Sequence, residues 1–442
     1  MISCDYVILG GGEAGIIAAL KFAKSGFQIV LIEENEIGGS WLYSLEFPFF
    51  CWQKALNQNF SQLQTDLKIH EINSQIQKKL DQKQKEILEK ITKFSNIKII
   101  YGKASFISKS LVEVNSAADH EIIGFKSAII TSGKNQINIP TLTGINEVDF
   151  LYQHNIFAID QIPQSLTIIG CSLFNLEVAN LYANLGTVVK IIETKSVQQV
   201  LRFFDSTCLN WTFRELLKKK VSFVFETKII KVAKQNDQIK LWDDQKKTYL
   251  SEKIFIFAKE TFEGSKIALE KTGIKSDKNG IIVNQNGQTI QRNIWAIGSC
   301  TNTNKNNLYW IINNLAQKTI ENKPNSIVIF GGTGQIFGES KHFGEIHKIN
   351  LDLPSISLGL SYREAESRYG SSIQFEIYRD FFEEGFVKLT FNQINGQILG
   401  IGLTGNLANI FYSAAVAAMS KNTNYRDFKG FLVDSGLEVE LR

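Results

Sequence analysis

Three stretches of the 442-residue chain hold side chains whose types and spacing can do chemistry. The first is Gly10-Gly11-Gly12-Glu13-Ala14-Gly15, with Glu33 about 20 residues beyond the loop. Glycine at Gly10 suits a tight turn, and at Gly12 it lets a pyrophosphate approach the backbone. At Gly15 it lets a helix and a strand pack closely. A helix starting there offers partial positive charge to phosphates. Glu33 is placed to bind the ribose hydroxyls of an adenosine. The second stretch, GGSWLYSLEFPFFCWQKAL from Gly38 to Leu56, combines the indole of Trp41, the carboxyl of Glu46 and the thiol of Cys51. The third, Gly170-Cys171-Ser172-Leu173-Phe174-Asn175 with Glu193, repeats the first but keeps glycine only at Gly170. There Ser172 adds a Cβ where backbone should meet pyrophosphate, and Asn175 puts a side chain where helix and strand should touch. Both changes weaken dinucleotide binding while leaving the fold intact. Glu193 favours a 2′-hydroxyl over a 2′-phosphate, hence NAD over NADP.

The elements that must position these residues are legible in the apolar pattern. DYVILGGGEAGIIAALKFAKSGFQIVLIEE reads as strand, glycine turn, helix and strand, and SLTIIGCSLFNLEVANLYANLGTVVKIIE repeats that order. Such a duplication predicts two nucleotide-binding domains. Between them, Leu63, Leu67, Ile72, Ile76, Leu80, Ile87 and Ile91 recur near heptad spacing, which predicts a pair of amphipathic helices over 57–96 packed on the first domain. AIITSGKNQINIP contains a buried strand ending in Thr131-Ser132-Gly133. The glycine-rich run 327–344 reads as a connection, its GGTG a loop. Beyond Leu353, helix and strand alternate, with Asn395-Gly396 at a hairpin turn. The expected class is α/β, with two Rossmann-like domains and a C-terminal α+β domain.

Composition sets bounds. Hydrophobic residues make up 44% and charged residues 21%, as in a water-soluble globular protein. A net charge of +4 on scattered lysines excludes a nucleic-acid footprint. The five cysteines form no CxxC, so neither a disulfide scaffold nor a metal site is expected, and a reducing, cytoplasmic location is. MISCDYVILGGG reads as a strand rather than a signal peptide, and no apolar run reaches membrane-spanning length.

Taken in order, VILGGGEAG, IGGS, TSG at Thr131, IPQSLTIIG, LRFFD at Leu201, NIWAIGS at Asn293, LGLSYREAE at Leu358 and GFVKLTFNQINGQILGIGLTG resemble the FAD-dependent pyridine nucleotide–disulfide oxidoreductases, such as dihydrolipoamide dehydrogenase, glutathione reductase and mercuric reductase. The resemblance covers nearly the whole chain. It implies an FAD domain split in sequence (1–150 and 281–326), an NAD(P)-binding-like domain inserted at 151–280, and an interface domain at 327–442 that forms a homodimer. It also implies FAD contacts from Gly10, Gly12, Glu13, Ala14, Gly15, Glu33, Gly39, Ser40, Thr131, Ser132, Gly133, Gly298 and Ser299. Gly170 and Glu193 would face NAD.

The family's chemistry is not matched throughout. Its reactive cysteine pair follows Gly-Gly-Thr, five residues apart, with Ile-Pro after the second. Here Gly38-Gly39-Ser40 leads to Trp41 and Glu46, followed by Phe47-Pro48. Sliding the alignment to reach Cys51 also places Lys54-Ala55-Leu56 on the family's Lys-Ala-Leu, but supplies no second thiol. The partner-subunit histidine of the family is absent, since the last histidine is His347. Ala-x-Gly-Arg in the second domain reads Phe257-Ala258-Lys259-Glu260. Ala-x-Gly-Asp reads Ala296-Ile297-Gly298-Ser299. Glu177 matches a glutamate that stands beside the flavin. The expectation is a flavoprotein oxidoreductase acting on a small-molecule redox substrate, without disulfide reduction. In it Trp41, Glu46, Cys51 and Glu177 are the candidate catalytic residues, and Glu46, buried against flavin and aromatics, moves a proton. The alternatives are a non-catalytic dimeric relative and, from the GGSW…C spacing, flavin monooxygenase-like chemistry.

Overall fold

The computed structural model describes residues 2–43, 46–59, 66–116, 119–134, 136–157, 160–284, 286–302, 312, 346–381 and 383–439, without the side chains of residues 46, 57–59 and 66–68. The glycine-rich run 327–344, its GGTG, Leu63 and the side chains of Glu46 and Leu67 lie outside the described residues. The chain folds as two compact units. One comprises Met1–Pro140, Tyr152–Asp160 and Ala258–Thr333, and the other Thr141–Leu151, Gln161–Phe257 and Gly334–Arg442.

In the first unit, β1 (Ile2–Leu9), α1 (Glu13–Lys24) and β2 (Ile29–Glu33) form the expected βαβ. After them come the short helix α2 (Gly39–Tyr43), then α3 (Glu46–Asn59) and the long α4 (Asp66–Thr92). Strands β3 (Ile97–Tyr101), β4 (Lys103–Phe106), β5 (Leu111–Asn115), β6 (His120–Ile130) and β7 (Gln136–Asn138) follow. A seven-stranded sheet runs β3-β2-β1-β6-β5-β4, and Ile294–Ala296 adds a parallel strand on β6. β1 pairs parallel with both β2 and β6, so it is central and buried on both faces, and Val7 and Ile8 are fully enclosed. Helix α1 turns Gly15, Ala18, Ala19 and Phe22 inward. Its small residues bring the helix close to the sheet, and burying Phe22 contributes roughly 1.5–3 kcal/mol.

The heptad-like residues behave as the pattern predicts, since Ile72, Ile76, Leu80, Ile87 and Ile91 are all buried along α4. The helical pair begins earlier than the spacing suggested. Its first member, α3, starts at Glu46, inside the GGSW…KAL stretch, because Phe49, Trp52, Ala55 and Leu56 place an apolar stripe at helical spacing and are all buried.

In the second unit, β8 (Ser165–Ile169), α5 (Leu173–Asn184) and β9 (Val188–Ile192) repeat the βαβ. α6 (Ser206–Lys218) and β10 (Ser222–Val224) extend it. β11 (Ile229–Gln235), β12 (Gln238–Asp243) and β13 (Thr248–Ser251) make an antiparallel meander, and β14 (Lys253–Ile256) closes a parallel sheet in the order β10-β9-β8-β14. The C-terminal part is a six-stranded antiparallel sheet with helices Tyr362–Tyr369, Gly405–Ser420 and Tyr425–Asp434. Gly396 takes φ +70° at the expected Asn-Gly hairpin turn.

The two parts of this unit are joined by polar contacts. Lys388, 2% exposed, donates to Asp205 (2.7 Å) and to Thr207 (3.0 Å) beneath the ring of Phe375. Asp205 also caps α6 by accepting from the amides of Thr207 and Cys208. Along α5, Glu177 accepts from Asn350, while Asn180 and Asn184 donate to Asp352.

Candidate functional site

Gly10 ends β1 with φ +113°, and a Cβ there would lie 2.5 Å from the carbonyl oxygen of Thr131. Only glycine tolerates both that dihedral and that approach. At Gly15 a Cβ would lie 1.9 Å from the Gly10 carbonyl oxygen, so the first turn of α1 touches the end of the strand. At Gly12 a Cβ would meet nothing within 4 Å. Space is therefore open at Gly12, while Gly10 and Gly15 are closely packed.

Three other segments converge on this loop. The amide of Gly38 donates to Gly11 (2.9 Å), and Gly12 and Gly38 form a parallel bridge. The Thr131 hydroxyl donates to the carbonyls of Leu9 (3.1 Å) and Gly10 (2.9 Å), which holds Thr131-Ser132-Gly133 against the turn. Ile297 donates to Ile130 (2.9 Å), and this sets Gly298 so that a Cβ on it would lie 3.5 Å from that of Ala14. Ser299 places its Oγ 3.5 Å from where a Gly133 Cβ would stand. The unit thus brings Gly10, Gly12, Glu13, Ala14, Gly15, Gly39, Ser40, Thr131, Ser132, Gly133, Gly298 and Ser299 to one end of its sheet. The buried hydroxyl oxygen of Ser132 lacks a hydrogen-bond partner there. A buried polar atom left this way implies a missing polar partner.

Beside the loop, at the carboxyl ends of β1 and β2, lies a cavity of about 450 Å³ lined by Gly10, Glu33, Asn35, Lys103, Ser132 and Lys266 among others. Glu33 closes one wall, with its Oε2 accepting from the Gly11 amide (2.5 Å) and its Oε1 from the Asn35 amide (3.0 Å). Sequence reading did not find Lys103 or Lys266. Gly102, at φ +157° just past β3, is the signal that could have pointed to the first. No such signal marks Lys266.

The second stretch occupies α2 and α3. Trp41 on α2 sits 5.6 Å, ring to ring, from Phe47 on α3. Cys51 is 2% exposed, and burial pushes its thiol up against the opposing pull of Lys79 and Lys54. Trp52 is enclosed and donates to the carbonyl of Phe157 (3.3 Å), and Phe49 packs on the Phe157 ring. All five cysteines are free and buried.

The third stretch lies in the second unit with Gly170, Glu193 and Glu177. Glu193 copies Glu33, with its Oε2 accepting from the Cys171 amide (2.7 Å) and its Oε1 from the Lys195 amide (2.9 Å). The loops differ in what stands over the helix. Ser172 Oγ accepts from the Asn175 amide (3.1 Å) and donates to Asn175 Oδ1 (2.8 Å), while Asn175 Nδ2 donates to the Gly170 carbonyl (2.9 Å). The Asn175 side chain lies between helix and strand and bonds to both sides of that contact, through Ser172 and the Gly170 carbonyl. Glu177 carries two bonds from Asn350, from the backbone (2.6 Å) and from Nδ2 (2.8 Å).

Of the Phe257-to-Glu260 motif, Ala258 to Glu260 lie in the first unit and run into the strand Lys259–Thr261, paired with β7. Gln153 clasps both the amide (2.9 Å) and the carbonyl (2.8 Å) of Ala258, and His154 meets Glu260 at 3.0 Å. Burial would raise the Glu260 carboxyl, but the bonds from His154 and Gln153 outweigh it and hold it below the usual carboxylate range. Among the described residues no helix is long and apolar enough to cross a membrane, and no cluster of metal-ligating side chains forms.

Over 253 residues the chain is 26% identical to the mitochondrial dihydrolipoyl dehydrogenase of Pisum sativum, a match covering 54% of this chain and 49% of that protein. It is 28% identical over 200 residues to the mercuric reductase of Staphylococcus aureus, covering 43% and 36%. The matches thus span about half or less of these relatives. Among solved structures, the HOCl-induced flavoprotein disulfide reductase RclA from Escherichia coli superposes with a TM-score of 0.82 at 18% identity, over 96% of this chain and 94% of that one. That likeness establishes the α/β fold. The family model described as pyridine nucleotide-disulphide oxidoreductase matches residues 4–327, and the chain belongs to that family.

Proposed function

We propose that the chain is a flavoprotein oxidoreductase that holds FAD at the first glycine loop and does not reduce disulfides through a cysteine pair. The open N-terminus of α1 at Gly12, above a cavity walled by Glu33, carries the reading. The amides from Gly12 to Gly15 would take the pyrophosphate, Glu33 the ribose, and Gly102 to Ala104 the adenine side of the cavity. Ser132, with its unpartnered hydroxyl, Gly39, Ser40, Thr131, Gly133, Gly298 and Ser299 would line the remainder. When bound, FAD supplies a carrier of two electrons. The chain supplies the positions of Trp41 and Glu46 where the family keeps two sulfurs, and an enclosed Cys51 with no second thiol in its motif. The first unit, with Tyr152–Asp160 and the chain from Ala258 onward, would then be the FAD domain, the part of the second unit up to Phe257 the nucleotide-like insertion, and 327–442 the interface of a cytoplasmic homodimer.

A second reading, a non-catalytic relative that keeps FAD as a structural element, is favoured by the self-capped second loop. Anaerobic titration separates the two. Purified protein should carry about one flavin per chain, and a chemical reductant should bleach it. Bleaching by NADH or NADPH, or turnover with a quinone or dye acceptor, supports an oxidoreductase. Flavin that no physiological donor reduces supports the second reading. Colourless protein that cannot be reconstituted with FAD sinks both.

A further inference from the structure

The two βαβ units differ at the N-termini of their helices, and the difference bears on where electrons come from. Both turns end a parallel strand, both have a carboxylate on the second loop amide, and both lead into a helix of twelve residues. In the first, the N-cap is Gly12, no side chain caps the helix, and the space above it is open. In the second, the N-cap is Ser172 and its hydroxyl already takes the amide of Asn175. That amide is one of the donors a helix otherwise offers to an anion. Asn175, 1% exposed, spends its own side chain on the carbonyls of Ile169 (3.4 Å) and Gly170 (2.9 Å) and on the Ser172 hydroxyl.

We infer that Ser172, held in place by Asn175 beneath it, forms an internal plug at the pyrophosphate position of the second domain and excludes nicotinamide dinucleotides. The inference rests on the family reading of that domain and not on FAD binding. The plug is self-satisfied, with the helix terminus capped and both polar side chains bonded. A dinucleotide must break the Ser172 cap and move its Cβ before its phosphates reach the helix. Removing the two side chains therefore raises affinity rather than lowering it, which is the reverse of what substitution at a working site does.

The test uses the full-length, FAD-loaded protein and reads binding rather than turnover. NADH and NADPH are titrated by nicotinamide fluorescence and equilibrium dialysis against the native protein and the S172A, N175A and S172G/N175G variants. The expected result is weak binding to the native protein and a gain of about tenfold or more in S172G/N175G, from loss of a cap and of overlapping side-chain volume. S172A should gain less, since it keeps the Cβ. Native protein that binds either nucleotide as tightly as the double variant overturns the inference. So does a double variant with native circular dichroism and no gain. Should the double variant fail to fold, amide exchange on the native protein decides. Saturating NADH that leaves residues 171–176 unchanged upholds the plug, and NADH that slows exchange there overturns it. Flavin absorbance, recorded in parallel, reports separately on the FAD site.

Discussion

Substituting alanine at Gly12 and at Gly15 should separate ligand binding from folding at positions only three residues apart. At Gly15 the new methyl would lie 1.9 Å from the Gly10 carbonyl oxygen and 2.9 Å from the Thr131 hydroxyl oxygen. The clash is with backbone at the end of a central strand, so the cost reaches the top of the ~1–3 kcal/mol range for overpacking. Alanine returns about 1 kcal/mol of helix propensity, leaving a net loss of about 2 kcal/mol. At Gly12 the methyl enters space with no neighbour within 4 Å at an ordinary backbone angle of φ −72°. Alanine is a poorer N-cap than glycine, so stability should fall by no more than about 1 kcal/mol. In the proposed site FAD approaches that point, and a methyl in the path of a phosphate costs about 1–3 kcal/mol of binding, or roughly five- to 150-fold in Kd. Urea unfolding of the flavin-free protein and flavin fluorescence titration read the two effects separately. Gly12→Ala that binds FAD with unchanged affinity would refute the placement of the pyrophosphate. Gly15→Ala of native stability would refute the contact between α1 and β1.

The other predictions concern groups outside the glycine loop. Lys388→Met leaves Asp205 buried without its cation and should cost about 3–5 kcal/mol in urea unfolding, and a loss below about 1 kcal/mol would show the pair to be dispensable. Glu260 is held below its ordinary value in the folded state, so its contribution to stability is present above the unfolded carboxylate value and falls as pH drops through the folded one. Glu260→Gln should therefore flatten the acid limb of the stability curve below about pH 4.5, and an unchanged limb would remove His154 and Gln153 as the cause. Burial pushes Cys4 up to about 11 and Cys171 and Cys300 up to about 12. Near pH 8 a thiol reagent should label none of the five cysteines of the native protein quickly and all five after denaturation. One or two fast thiols would reopen dithiol chemistry.

The first βαβ and its glycine roles were legible because each constraint there is local: strand, turn, helix and acid lie within one short run. The same holds for the apolar stripe of α4, whose period survives the polar composition around it. What sequence reading could not supply was the outcome of competition between side chains. Asn175 looked like a residue that only forces helix from strand, whereas its amide bonds to Gly170. Glu177 was matched by position to a flavin neighbour, and its bonds to Asn350 come from a segment 173 residues away. Lys388 and Asp205 stand 183 residues apart and carry no shared pattern. Lys266 joins the cavity through the same kind of distant closure.

The strand Ile294–Ala296 joins β6 at Ala128 to Ile130, beside the end of the strand that leads to Thr131. On a ribosome that partner arrives about 160 residues after its place is made, which at ~5–20 residues per second is a wait of roughly 8–30 s. During that interval three residues of the Ile123-to-Ile130 core strand keep one row of amides and carbonyls open, an edge of the kind that invites pairing with another chain. The floor beneath Thr131, Ser132 and Gly133 is thus the last part of its sheet to close. The open edge is only three residues long, short enough to limit pairing between nascent copies while the closing strand is awaited.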